Sequence, residues 1–149
     1  METKSPSCRR SPGASGGVSA ALLTDEPLDL ARAVSLVASK KCGAVVTFAG
    51  NIRDTEKGEE IGAIRYEAYE PMALKDLEGL VKAAKSRWDV TAVVWHRLGE
   101  VSAGESSLLI VCAGKHRPET FEANRWILEE IKAHVPIWKV GFEKGGGCC

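Results

Sequence analysis

Three basic side chains stand where an apolar run gives way to a loop or a helix, which is a common place for anions to bind. Arg53 follows a run that ends at Gly50, and its guanidinium can hold a phosphate or carboxylate through two parallel hydrogen bonds. His116 and Arg117 stand between a second apolar run and Pro118, a residue suited to the first helical turn. Because helix N-termini favour anions, this pair indicates an anionic ligand. Solvated surface charges are the alternative at both places.

Two lysines near the end of the chain could take part in chemistry. Lys132 stands one position from Ile131, at the edge of an apolar helical stripe, and Lys139 follows beyond a break at Pro136. The break removes helical phasing, so spacing alone does not bring the two together. If they converge, their like charges disfavour protonation of one amine. A neutral amine is a nucleophile or base, whereas an ammonium stabilises a developing oxyanion. Two ordinary surface charges are the alternative.

Familiar nucleotide-binding, hydrolase and metal motifs are missing from the sequence. The chain contains no GxGxxG, GxxxxGK[ST], GxSxG or HExxH, and its five cysteines include no CxxC pair. We therefore expect neither a metal nor a cofactor. Cys42 and Cys112 lie in or beside apolar runs and are predicted to be small core residues. The five cysteines of the chain are odd in number and scattered in spacing, which fits a reducing compartment, so we expect a cytosolic protein. His96 and His134 are expected to be packed or exposed rather than metal-bound.

The elements that must position these side chains follow from the periodicity of apolar residues. Strand pairs recur without a helix between them, which indicates an α+β layer fold rather than a doubly wound parallel sheet. The stripe of the last helix is predicted to comprise Phe121, Asn124, Leu128, Ile131 and Val135. Helices are predicted after Asp29, from Pro71 to Trp88 and from Pro118 to Pro136. Strands are predicted at 20–23, 44–49, 64–68, 90–98, 107–113 and 137–140. A loop is predicted at 51–60 and a turn at 99–105.

Length and composition indicate one globular domain. The chain has 149 residues, of which 44% are hydrophobic and 27% charged, enough for one hydrophobic core. Its 20 basic and 20 acidic side chains cancel, which argues against a general nucleic-acid binder. No apolar stretch reaches the length of a membrane span. We expect a domain at 20–144 between a disordered N-terminal tail (1–19), rich in Ser, Gly and Pro, and a short C-terminal tail (145–149).

Five segments together resemble the large, catalytic subunit family of molybdopterin synthase. They occur in the family's order and span roughly residues 20–140. The resemblance implies a single-domain α+β fold of the α/β-hammerhead type, with a mixed or antiparallel sheet packed by helices, and a homodimeric core. The segments are GAVVTFAGNIRD (43–54), YEAYEPMA (66–73), WHRLGEVSAGESSLLIV (95–111), KHRPETFEA (115–123) and IKAHVPIWK (131–139).

The resemblance also implies an activity and a partner. The family works with a small ubiquitin-like subunit whose C-terminal Gly-Gly carries a thiocarboxylate, and this tail delivers sulfur into a pocket on the large subunit. Two sulfurs are added to cyclic pyranopterin monophosphate to give the dithiolene of molybdopterin. The chain is thus expected to be a sulfurtransferase and the homodimeric core of a heterotetramer. Neither a nucleic acid nor a membrane is expected as a partner.

The resemblance assigns roles residue by residue. Arg53, His116 and Arg117 match positions that bind the anionic group of the substrate, and Lys132 and Lys139 match the active-site lysines. The sequence departs from the family after the last lysine, where the family usually has a basic and then an acidic residue. This departure motivates an alternative, a catalytically impaired scaffold that docks a ubiquitin-like partner. The expected substrate-binding positions are Asn51, Ile52, Arg53, His116, Arg117, Lys132, Lys139, Val140 and Gly141.

Overall fold

The structure is a computed structural model that describes residues 20–144. The predicted tails at 1–19 and 145–149 lie outside the described residues. Within the described part of the chain, eight strands and three helices follow one another. In chain order they are β1 (Ala21–Thr24), α1 (Leu30–Val37), β2 (Ala44–Asn51), β3 (Thr55–Glu56), β4 (Glu59–Ala68), α2 (Glu70–Trp88), β5 (Thr91–Arg97), β6 (Gly99–Ser102), β7 (Ser106–Gly114), α3 (Arg117–His134) and β8 (Ile137–Lys144).

The first sheet has four strands in the order β1-β5-β7-β2. β1 runs parallel to β5, whereas β7 is antiparallel to both β5 and β2. β7 is buried along almost its whole length, which explains its continuous apolar sequence. β2 lies at the outer edge, and its residues alternate between half-buried and exposed because only one of its faces is covered.

Both faces of the first sheet carry helices. α2 and α3 cover one face, where Leu77 and Ile127 pack with Ile110 and other inward residues of β5 and β7. α1 covers the opposite face, where Ala33 packs with residues such as Trp95. Alternate residues of β5 and β7 therefore enter two separate apolar clusters, which makes this sheet the rigid centre of the molecule.

The second sheet is built around β4. β3 and β6 pair with β4 in the order β3-β4-β6, and β8 pairs antiparallel with β4 as well. Its small apolar cluster contains Ile52, Ile61, Ile64 and Val101. Ile52 belongs to the segment that leaves β2, so this cluster joins the end of the first sheet to the second.

The helix boundaries follow local sequence signals. Asp29 caps α1, since its carboxylate accepts a hydrogen bond from the backbone N–H of Arg32 at 3.1 Å. A proline stands in the first turn of both α2 and α3. α2 ends at Asp89, whose φ of 57° is a left-handed conformation typical of a helix C-terminus. α3 ends at His134, just before Pro136, as predicted.

The structure confirms the α+β class and corrects three local predictions. The predicted loop at 51–60 contains β3 and the start of β4, and the predicted turn at 99–105 begins with β6. Phe121 is 59% exposed and does not belong to the inner stripe of α3. Thr120, Ala123 and Ile127 are buried there instead. Among the described helices, none combines the length and apolar character needed to cross a membrane.

Candidate active site

Arg53 follows β2 and extends from a firmly held backbone. The preceding residue, Ile52, is buried in the apolar cluster of the second sheet. Its N–H donates to the carbonyl of Glu105 at 2.9 Å, and its carbonyl accepts from the N–H of Gly104 at 2.8 Å. Asn51 accepts a hydrogen bond from the hydroxyl of Ser106. The Arg53 side chain itself is exposed, so a cation is presented to solvent from a fixed base.

His116 and Arg117 form the N-terminus of α3. His116 is the N-cap residue, and its carbonyl accepts from the Thr120 hydroxyl at 2.7 Å. The His116 ring lies 3.7 Å from a carboxylate oxygen of Glu119, while Arg117 is exposed at the first helical position. The first turn of a helix has free backbone N–H groups, and two exposed basic residues stand beside them here, which favours an anion.

A single chain does not bring Arg53 and Arg117 together. In the antiparallel β2–β7 pair, Ala44 is opposite Gly114 at one end and Asn51 is opposite Ser106 at the other. Arg53 lies beyond the second end, whereas Arg117 lies beyond the first. Seven residue steps at about 3.4 Å each separate the two ends by roughly 24 Å. A small phosphorylated substrate cannot span that distance, so these cations do not form one pocket within one chain.

Lys139 lies on β8 opposite Tyr66 of β4. Directly opposed residues in an antiparallel pair project to the same side of the sheet. The Lys139 ammonium lies 3.4 Å from a carboxylate oxygen of Glu56, and half of the lysine side chain is exposed. Glu56 belongs to β3 and is only 18% exposed at its side chain. The Glu56 carboxylate thus contacts the lysine ammonium, while half of the lysine side chain stays exposed.

Lys132 belongs to the last turn of α3, and its charge acts on His96, whose ring contacts Tyr66. The Tyr66 ring meets the His96 ring edge to face, with centroids 5.1 Å apart. Burial lowers the pKa of His96 below its usual value, the hydrogen bond to the Arg97 carbonyl opposes that shift, and the positive charge of Lys132 adds to the lowering. Lys132 thus acts electrostatically on the His96 ring, and that ring contacts Tyr66, the residue opposite Lys139 in the sheet.

His96 itself is buried and holds a defined tautomer. Its Nδ1 lies 2.7 Å from the carbonyl oxygen of Arg97. Since a carbonyl only accepts, Nδ1 carries the proton in the neutral ring. The sequence predicted only that His96 is packed or exposed; it is buried, and its contact with Tyr66 was missed. A single histidine in a strand gives no signal of that kind, because the contact comes from a second sheet.

Val140 and Gly141 continue β8 beyond Lys139. The pairing of β8 with β4 shifts register here, because Tyr66 is opposite Lys139 while Arg65 is opposite Gly141. Val140 is thus the extra residue of a β-bulge and is half exposed. A Cβ at Gly141 would meet nothing within 4 Å. Val140 and Gly141 are therefore exposed neighbours of Lys139 in β8.

Among residues 20–144, no group of three or more His, Cys, Asp or Glu side chains is arranged to hold a metal ion. The candidate site residues thus lie in three places: the lysine region around Tyr66 and His96, and the two ends of the β2–β7 pair. The lysine region offers amines for catalysis or anion stabilisation, and each cationic end offers an anion-binding surface.

Comparison with known proteins gives consistent matches. The sequence model of the family described as MoaE protein matches residues 23–134. The molybdopterin synthase catalytic subunit of Pyrococcus abyssi is 41% identical over 115 residues, covering 76% of this chain and 78% of the relative. The protein of the same description from Culex quinquefasciatus is 40% identical over 129 residues, covering 85% and 82% respectively.

Solved structures agree in fold. A molybdopterin synthase from Staphylococcus aureus superposes with a TM-score of 0.80 at 30% identity, covering 87% of this chain and 96% of that one. A protein–protein complex of subunits 1 and 2 of the molybdopterin-converting factor from Helicobacter pylori contains a chain with a TM-score of 0.69 at 25% identity, with coverages of 87% and 92%.

Proposed function

The chain belongs to the MoaE family, and from this membership we propose that it is the catalytic subunit of a molybdopterin synthase. In this role it transfers sulfur from the thiocarboxylated tail of a small ubiquitin-like subunit to cyclic pyranopterin monophosphate. The product is the dithiolene of molybdopterin. The protein is therefore an enzyme of molybdenum-cofactor biosynthesis, acting as a sulfurtransferase.

The observation that supports this proposal is the surroundings of Tyr66, which is opposite Lys139 in the sheet and contacts the ring of His96, whose pKa the charge of Lys132 helps to lower. A thiocarboxylate tail is anionic. Once its sulfur has bonded to the substrate, water adds to the acyl carbon to form an oxyanion, the bond from carbon to sulfur breaks, and the tail leaves as a carboxylate. Two amines at one place can hold the tail and stabilise that oxyanion. Alternatively, one of them can act as a nucleophile or base in its neutral form. The region is open to solvent, as entry of a protein tail requires.

Substitution of Lys132 tests this role. With thiocarboxylated small subunit and cyclic pyranopterin monophosphate, Lys132→Ala should lose most sulfur transfer, a loss of about 100-fold or more if its amine acts on the reacting group. Lys132→Arg separates the two chemical roles, because arginine stays protonated and cannot act as nucleophile or base. Near wild-type turnover by Lys132→Ala, with an unchanged circular dichroism spectrum, would reject the assignment.

We further propose that two copies of the chain complete each substrate site. Arg53 and Arg117 lie at opposite ends of the β2–β7 pair, yet both match substrate-binding positions of the family. A twofold homodimer that sets one end beside the other brings Arg53 of one protomer close to Arg117 of the partner subunit. The edge strand β2 supports this arrangement, since pairing its free edge with a second β2 would run the two strands antiparallel.

Mixing two defective variants tests the shared site. Arg53→Ala and Arg117→Ala should each weaken binding of the phosphorylated substrate. In a mixed dimer, one site carries both substitutions and the other carries neither, so refolding or co-expressing the two variants should restore activity. Complete mixing gives about half mixed dimers, each with one intact site, and hence about a quarter of wild-type activity. No recovery, with mixed dimers shown by mass spectrometry, would contradict a site shared between protomers.

The partner and the assembly follow from the same chemistry. A flexible tail binds tightly only when a second surface also holds its folded domain, so we propose that each protomer docks one small subunit, giving a heterotetramer. The Helicobacter pylori complex of two subunits supports such pairing. Sedimentation of the mixed proteins should show this species, and deletion of the partner's last two glycines should abolish transfer but leave docking. The free thiols Cys42 and Cys112 support a cytosolic location.

A further inference from the structure

The side chain of Arg97 is a buried charge that the proposed chemistry does not use. It lies at the end of β5 and is only 8% exposed. Its Nη1 donates to Oε1 of Glu105 at 2.8 Å, and its Nη2 faces the carbonyls of Asp25 and Glu100 at 3.4 and 3.5 Å. Its Nε is buried without a hydrogen-bond partner among the described residues. Burying a guanidinium opposes folding unless its interactions offset the loss of hydration. A contribution to stability alone is therefore a weak explanation for a buried arginine at this position.

The carboxylate of Glu105 transmits this contact to a tight turn. Besides Arg97, Oε1 of Glu105 accepts from the backbone N–H of Ser102 at 3.3 Å. The N–H of Glu105 in turn donates to the carbonyl of Ser102 at 3.0 Å. The segment Ser102–Glu105, which connects β6 to β7, is therefore closed from both sides and held against the buried guanidinium.

The same turn holds the backbone next to Arg53. Two hydrogen bonds join it to Ile52: Ile52 N–H to the Glu105 carbonyl at 2.9 Å, and Gly104 N–H to the Ile52 carbonyl at 2.8 Å. Gly104 has a φ of 91°, which an L side chain rarely adopts, so the turn has little freedom to take another residue there. A continuous chain of contacts thus runs from Arg97 through Glu105 and Ile52 to the residue that carries the Arg53 guanidinium.

We propose that Arg97 is a positioning residue for Arg53: its ion pair with Glu105 fixes the Ser102–Glu105 turn, and that turn fixes the backbone from which Arg53 reaches the substrate. This inference rests on the proposed role of Arg53 in binding the phosphorylated substrate. Arg97 reaches acceptors on three segments through one planar group, which the single ammonium of lysine cannot reproduce. The Arg97→Lys variant should therefore loosen the Ser102–Glu105 turn as much as a variant that lacks the ion pair, although lysine keeps the positive charge.

Backbone hydrogen exchange tests the mechanical link without any assay of activity. In Glu105→Gln, the amides of Ile52 and Gly104 should exchange about tenfold faster, while the amide of Leu109 in central β7 is unchanged. Glu129→Gln is the matched control, because Glu129 forms an ion pair with Arg125 at 3.0 Å on the exposed side of α3. It should alter neither amide. Unchanged exchange at Ile52 in both Glu105→Gln and Arg97→Lys overturns the proposal.

Steady-state kinetics of sulfur transfer test the functional consequence. Glu105→Gln should raise KM for cyclic pyranopterin monophosphate about tenfold with little change in kcat, and Arg97→Lys should do the same. In an Arg53→Ala background, Glu105→Gln should add almost nothing, because the group it positions is gone. Multiplicative effects in the double variant overturn the proposal. If Arg53→Ala alone leaves KM unchanged, the proposed substrate role of Arg53 fails, while the exchange experiment still decides whether Arg97 holds that backbone.

Discussion

Asn124 fastens α3 to the first sheet, and its replacement by alanine should destabilise the protein measurably. The buried side-chain amide donates to the carbonyls of Val46 and Ile110, each at 3.1 Å. Each such bond contributes about 1 kcal/mol net, and the truncated side chain also leaves a small gap. We therefore expect Asn124→Ala to lower the free energy of unfolding by about 2–3 kcal/mol. For a chain of this size that corresponds to a fall in Tm of about 4–12 °C.

Urea denaturation followed by circular dichroism measures this change, with both proteins at one concentration because an oligomer's stability depends on it. Arg125→Ala is the matched control, since Arg125 is the next residue of α3 and its side chain is 81% exposed. The control should change the free energy by less than about 0.5 kcal/mol. An Asn124→Ala variant within the same limit, or a control that falls as far, would refute the role assigned to these two hydrogen bonds.

Three further predictions concern single side chains. Burial raises the pKa of the Cys112 thiol to about 12, so iodoacetamide at neutral pH should leave Cys112 unmodified until urea unfolds the protein, as peptide mass mapping would show. Gly114→Ala should cost about 1–3 kcal/mol in thermal denaturation, since a Cβ there would lie 2.5 Å from Oγ1 of Thr120, whereas Gly79→Ala in α2 meets nothing and should gain up to about 1 kcal/mol. The hydrogen bond from Arg97 lowers the pKa of Glu105 below 4.5, so this carboxylate's contribution to stability is complete above pH 4.5 and is lost as the pH falls through the lower folded-state value. Unfolding curves of wild type and Glu105→Gln should therefore differ at pH 7 and converge in acid; a constant difference would contradict that.

The sequence predicted most of the fold where hydrophobic periodicity was strong. The prolines at the starts of α2 and α3 and the apolar run of β7 placed these elements within a few residues of their observed bounds. β6 was missed because Gly99 and Gly104 are typical of turns, and both do adopt positive φ, although Gly99 is the first residue of this short strand. Phe121 was misassigned because its spacing from Asn124 fits a helical stripe, whereas the buried face of α3 runs through Thr120 and Ala123 instead.

The candidate site was only partly accessible to sequence reasoning. Residue type at strand ends and helix starts indicated Arg53 and Arg117, and local signals sufficed for that. The relation between them depends on the antiparallel register of β2 and β7, which no local pattern contains. The contact between Tyr66 and His96 likewise depends on how the two sheets meet. The resemblance to a family supplied the roles of the candidate site residues. The register of β2 and β7 then showed that Arg53 and Arg117 are far apart within one chain.

The departure from the family pattern after Lys139 does not favour a silent scaffold. β8 stays paired with β4 through Lys144, so Val140 and Gly141 do not end the strand. Lys139 is opposite Tyr66 on the other side of the bulge from Gly141, and Glu56 of β3 holds its ammonium independently of either residue. A bulge bends the strand locally, so Val140 influences the direction of Lys139 through the backbone rather than through its side chain. Replacing Val140 by a basic residue and Gly141 by an acidic residue should therefore change substrate affinity more than kcat. A large gain in kcat would show that the departure from the family pattern at these two positions does limit catalysis.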